Sequence, residues 1–126
     1  MAFSTFSEGG ARYDSVRNRY VMGTSGNDVF GYTADGAISI INGVHKVSKT
    51  SAAAMTLAQP TASDEGTVIT VVAGTAFAHV LTVTGGLGGN AADDVVTFAK
   101  VGDTIRLRAI NLRWVPEGAP YGAIIS

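Results

Sequence analysis

Residues 55–83 read MTLAQPTASDEGTVITVVAGTAFAHVLTV, and two runs inside that stretch, Val68 to Val72 and Phe77 to Val83, decide the fold class. Both are dominated by Thr and Val. Branching at Cβ stiffens χ1 and suits a pleated sheet, whereas Pro60, Gly66 and Gly74 supply the backbone angles of turns. The two runs follow the turn cluster Pro60 to Gly66 and are separated by Ala73-Gly74-Thr75, so the stretch reads as a β-hairpin.

The same bias runs through the rest of the chain. Val, Ile and Thr far outnumber Leu, which favours strands over helices. At 126 residues the sequence fits one domain with a core of its own. Charged residues make up 15% and there are 16 Gly, where soluble domains carry about 25% charge. Few charges and many small side chains allow close packing against other subunits, so part of the surface is expected to be covered in an assembly. Net charge is −1, too small a field to attract nucleic acid or an anionic membrane, and neither is expected as a partner. No apolar run reaches the roughly 20 residues of a membrane helix, and Met1 to Thr5 lacks the features of a secretory signal. The absence of cysteine excludes disulfides and thiolate metal sites and agrees with synthesis in a reducing cytoplasm.

Taken in order, residues 1–36 read as an N-terminal arm in which Val16 to Met22 forms one short strand, and residues 37–126 as the β domain. The arm holds most of the chain's Phe and Tyr, including Phe3, Phe6, Tyr13 and Tyr20. That is too many rings for a segment left in water, and a neighbouring subunit or the chain's own domain must cover them. Ile38 to Ile41 and Val44 to Val47 flank Asn42-Gly43, the pair preferred by type I′ turns, and predict a second hairpin. Met55 to Leu57 reads as an extended edge segment, and Gly85 to Asp94 as a flexible exposed loop. Val95 to Phe98 is a strand. From Thr104 to Trp114, Ile105, Leu107 and Ala109 alternate with Arg106 and Arg108, which places the first set in the core and the arginines on the opposite face, spaced for ion pairs. Trp114 is expected to anchor the core edge, and Ala123 to Ile125 to form the last strand. About eight short strands at regular spacing predict a small all-β domain, a barrel or a sandwich.

Catalytic constellations are missing from the pattern. His45 and His79 fall in strands, no HExxH or GxSxG occurs, and Asp64-Glu65 reads as a solvated turn. Gly86 to Ala91 carries part of a dinucleotide fingerprint without the helix such a site needs. Gly26 to Phe30 matches one copy of a calcium-binding nonapeptide, which requires stacked copies, so an Asn-Asp turn is the simpler reading. No cofactor, metal or enzymatic activity is expected.

Two segments, VSKTSAAAMTLAQPTASDEGTVITVVAGTAFAHVLTV and VVTFAKVGDTIRLRAINLRWV, resemble a family of small virion proteins of tailed bacteriophages, the head decoration, cement or head fibre proteins. The resemblance spans about the last two thirds of the chain and rests on structural punctuation: the AMTL strand, the PT turn, the AHxLT strand, the Gly-rich loop and RxNxxW. It implies a non-enzymatic β protein on the outer surface of the virion capsid, made in the host bacterium. It also implies the major capsid protein as partner and self-association, often as a homotrimer. Contact with capsid or neighbour is expected from Phe3, Phe6, Arg12, Tyr13, Arg17, Arg19 and Tyr20. The alternative is a receptor- or glycan-binding module of a tail fibre or spike, with Gly85 to Asp94 and Trp114 as its recognition surface.

Overall fold

The computed structural model describes residues 11–14, 19–22 and 28–126. In chain order the strands are β1 (Ala11–Asp14), β2 (Arg19–Met22), β3 (Val29–Tyr32), β4 (Gly36–Ala37), β5 (Gly43–Val47), β6 (Ala54–Leu57), β7 (Val68–Ala73), β8 (His79–Val83), β9 (Val95–Phe98), β10 (Thr104–Ile110), β11 (Arg113–Pro116) and β12 (Ile124–Ile125). The only helical pieces among the described residues are single 3-10 turns at Ala62–Asp64 and Ala91–Asp93. The protein is all-β.

β1 and β2 form an antiparallel pair in which Tyr13 lies opposite Tyr20 and Asp14 opposite Arg19. The other strands make two five-stranded sheets, ordered β11-β10-β7-β5-β3 and β12-β9-β8-β6-β4. From β3 to β8 the chain passes alternately from the first sheet to the second, and within each sheet successive passes lie parallel. The result is a three-turn winding. β9 and β10 then pair antiparallel on β8 and β7, and β11 and β12 complete the two sheets. The sheets are not closed into a barrel, which removes that half of the expected architecture.

The winding follows from side-chain alternation. Ile69, Val71 and Ala73 of β7, Met55 and Leu57 of β6, Leu81 and Val83 of β8, and Ile105, Leu107 and Ala109 of β10 are all buried in one cluster between the sheets. Val96, Phe98 and Trp114 belong to the same cluster. Each large aliphatic side chain so buried contributes about 1.5–3 kcal/mol, and with a period of two, a slip of one residue would turn the whole set to water.

Both expected hairpins are replaced by this winding. Val68 to Val72 and His79 to Val83 are strands, but they lie in different sheets, and Gly74 is the corner between them, its N–H bonded to Val47 O at 2.7 Å on the preceding turn of the winding. A Cβ at Gly74 would run into Ser48 Oγ and the Lys46 side chain. Asn42-Gly43 likewise makes no hairpin: Ile38 to Ile41 is not a strand, and β5 runs parallel to β3 and β7. Asn42 instead accepts the Val68 N–H at 2.8 Å. Gly43 is needed because a Cβ there would lie 2.7 Å from Asp28 O and 2.9 Å from the Phe30 ring. β6 is extended as expected but sits between β4 and β8 rather than at an edge. A two-residue turn with both central residues at positive φ, Asn111 (51°) and Leu112 (63°), joins β10 to β11.

Gly85 to Asp94 is largely exposed, as expected of this loop, but it folds back on itself. Leu87 is buried in the core and bridges to Trp114, and its N–H bonds to Asp93 O. Gly86 lies so close to Asn90 O that only hydrogen fits in place of a side chain.

Candidate interaction surface

The chemistry-bearing side chains that the sequence singles out are engaged in holding the fold. His45 on β5 is fully buried, stacked on Phe30 at 5.0 Å between ring centroids. Its Nε2 lies 2.8 Å from Ile41 O, which can only accept, so Nε2 carries the proton. Nδ1 is then the acceptor for the Tyr32 hydroxyl at 2.8 Å, and that oxygen in turn accepts the Ser39 N–H at 3.0 Å. His79 on β8 is fixed in the same tautomer. The Ala53 N–H donates to Nδ1 at 3.1 Å, and Nε2–H donates to Thr75 Oγ1, whose own proton goes to Lys49 O at 2.6 Å. Burial holds both imidazoles below the ordinary histidine range, and for His79 the nearby Lys49 charge acts in the same direction. Each ring has both nitrogens committed, one as donor and one as acceptor. Among the described residues no cluster of His, Asp or Glu has the arrangement of a metal site.

Asp64 caps its own turn by accepting the Thr61 N–H at 2.8 Å, and Glu65 accepts the Asn111 N–H at 2.9 Å, steadying the strained β10–β11 turn. Trp114, placed in the alternative recognition surface by the sequence, is 1% exposed and donates its Nε1–H to Ala58 O at 2.8 Å. Its ring is core and offers no face to a ligand.

What remains is the outside of the two sheets, and they differ sharply. On the first sheet, register aligns Val29, Val44, Thr70 and Arg106 in one row, with Gly31, Lys46, Val72 and Thr104 in the next. Arg106 and Arg108 both reach Glu117, at 3.2 Å and 2.6 Å. The Arg108 hydrogen bond is the main cause that holds the Glu117 carboxyl below its ordinary range. These are the ion pairs expected of the alternating arginines. A shallow cleft bounded by Asn42, Gly43, Val68, Thr70 and Arg106 opens on this face.

The outer face of the second sheet carries no charge. Its rows are Ala37, Thr56, Thr82 and Val95, and Ala54, Val80, Thr97 and Ile124. All eight are exposed or half-exposed, Ile124 at 66%. Ala, Thr, Val and Ile on a pleated sheet make a surface that a partner can cover without stripping water from any ion, the costliest step in burying a protein surface. Depletion of charge is also what marks the centres of protein interfaces. Sequence reasoning missed this face because it depends on which strands are neighbours; the visible signal was the run of uncharged outward positions in 54–56, 80–82 and 95–97.

Phe3, Phe6 and Arg17 lie outside the described residues, and for Arg12, Tyr13, Arg19 and Tyr20 only the backbone pairing of β1 with β2 is described. Comparison of the sequence with protein-family models and with curated proteins gave no match.

Proposed function

We propose that this chain is a structural protein of a tailed-bacteriophage virion that binds the outer surface of the capsid and stabilises the head, without enzymatic activity. The observation that carries the reading is the charge-free outer face of the second sheet, which suits attachment by surface burial. The resemblance of the 44–83 and 94–126 segments to head decoration proteins supplies the partner, the major capsid protein. In this reading the two sheets are the layers of a β-sandwich. The second sheet lies against the shell, and the first, with its Lys46, Arg106, Arg108 and Glu117, faces solvent. The arm residues Phe3, Phe6, Arg12, Tyr13, Arg17, Arg19 and Tyr20 add contacts to capsid or neighbour.

The energetics ask little of one contact. Specific interfaces bury about 1,200–2,000 Å², and repetition over a shell turns a modest gain per site into a large one. The alternative of a glycan-binding fibre module loses its aromatic platform with Trp114 in the core. Co-sedimentation with expanded empty heads of the encoding phage tests the proposal. Wild type should pellet with heads, and Thr56→Lys with Thr82→Lys, which sets two like charges on adjacent strands of the face, should stay in the supernatant while remaining folded. Wild type that ignores heads but binds cells or glycans would overturn it.

A further inference from the structure

Of the four edges of the two five-stranded sheets, three are guarded. β11 presents Arg113 and Pro116, and β4 and β12 are only two residues long. Short strands, charge and proline are the usual means by which an edge avoids pairing with another chain. β3 has none of them: its sequence is Val-Phe-Gly-Tyr, with no charge, no proline and no bulge.

The bonding pattern of β3 leaves specific groups open. The Val44 N–H bonds to Asp28 O and the Ser48 N–H to Tyr32 O. In a parallel ladder, residues 28, 30 and 32 therefore turn their polar groups toward β5, and Val29 and Gly31 turn theirs outward. Val29 is 60% exposed. No described residue requires Gly31: a Cβ there meets none of them within 4 Å, and its φ is not in the left-handed region. Glycine inside a strand often accompanies a bulge, a bend or the close approach of a ligand or another backbone, and β3 pairs with β5 without a bulge.

We infer that β3 pairs with β3 of a second copy, antiparallel about a two-fold axis at Phe30. In that register Val29 exchanges both of its free backbone bonds with the partner's Gly31, and Gly31 with the partner's Val29. Every outward polar group of the strand is satisfied. The exposed Val29 side chain covers the backbone that the partner's Gly31 leaves bare, and the half-buried Phe30 rings of the two copies come side by side, a favourable cross-strand pair. No ionised side chain of β3 enters the contact, so like charges on the strand do not oppose it. The first sheets of the two copies become one continuous sheet. A four-residue strand covers less than the interface of a permanent dimer, so the pairing is concentration-dependent. This inference is independent of the capsid reading, and it replaces the homotrimer implied by the resemblance with a two-fold pair.

The test is sedimentation velocity on the full chain from about 5 μM to about 1 mM, together with amide hydrogen exchange at Val29 and Gly31. The expected result is a monomer–dimer equilibrium in which both amides gain protection with concentration. Gly31→Pro removes an outward N–H that the monomer does not use, and Val29→Lys places a charge on the edge. Both should fold with unchanged circular dichroism and weaken dimerisation at least about tenfold. A monomer throughout, a trimer, or a dimer indifferent to both variants would overturn the inference. So would protection of both amides at every concentration, which would mean that the chain's own N-terminal segment covers the edge.

Discussion

Acidification should destabilise this protein in a window set by its two buried histidines. Both are neutral in the folded state, with Nδ1 occupied as an acceptor by the Tyr32 hydroxyl in His45 and by the Ala53 N–H in His79. Protonation at Nδ1 would break either bond, and burial lowers both values below that of a free imidazole. The unfolded chain, whose imidazoles titrate near about 6.5, binds more protons than the native state once the pH falls below that value. Stability is therefore fully present above about pH 6.5 and falls as the pH drops toward the folded values. A ring that took up no proton at all would lose about 1.4 kcal/mol at pH 5.5, so the pair together loses less than about 2.8 kcal/mol, against total stabilities of about 5–15 kcal/mol. The carboxyls of Asp35 and Glu117 are also held below their ordinary values, Asp35 chiefly by its Lys49 hydrogen bond and Glu117 by Arg108. Their contributions are lost only at lower pH, around and below the carboxylate range. Urea denaturation followed by the fluorescence of Trp114, the single tryptophan, at about pH 7.5 and about pH 5.5 separates the two sets. Equal unfolding free energies at both pH values would refute the reasoning. So would an undiminished acid effect in the double variant His45→Gln with His79→Asn, where the new amide oxygen on β8 keeps an acceptor for the Ala53 N–H and neither replaced side chain titrates.

Further perturbations probe the tight places of the fold. Trp114→Phe leaves Ala58 O without its donor and opens space beside Leu87, and should lower the unfolding free energy by about 2–3 kcal/mol in urea melts. Gly86→Ala drives a methyl into Asn90 O and should cost more than about 2 kcal/mol, or unfold the Leu87 loop as seen by amide exchange. Leu112→Gly should act in the opposite direction: Leu112 sits at φ 63° with its side chain 46% exposed, so relief of strain should raise stability by about 1 kcal/mol.

The local alternation of this chain was readable, and the pairing was not. Ile105, Leu107 and Ala109 are buried and Arg106 and Arg108 face outward as their spacing demands, with Glu117 supplying the partner. Trp114 anchors the core edge as its position suggests. The hairpins failed because Asn42-Gly43 and Ala73-Gly74-Thr75 look the same whether glycine serves a tight turn or a close approach between stacked passes. At Gly43 the deciding neighbour is Asp28 O, and at Gly74 it is Ser48, contacts set by the winding and invisible in a local window. In the Gly-rich 85–94 segment the exposed loop was legible and the buried Leu87 was not: the glycines adopt positive φ to let Leu87 reach the core. The charge-free face emerges only when Thr56, Thr82 and Val95, far apart in sequence, are brought into one row by register.

The most direct test of the central claim is a cryo-electron microscopy reconstruction of expanded heads of the encoding phage incubated with the purified protein. Ordered density is expected on the outer surface, with Thr56, Val80, Thr82 and Thr97 turned to the shell and the Arg106–Glu117 face turned to solvent. Bare heads at saturating protein, or bound copies with the second sheet facing away from the shell, would contradict it.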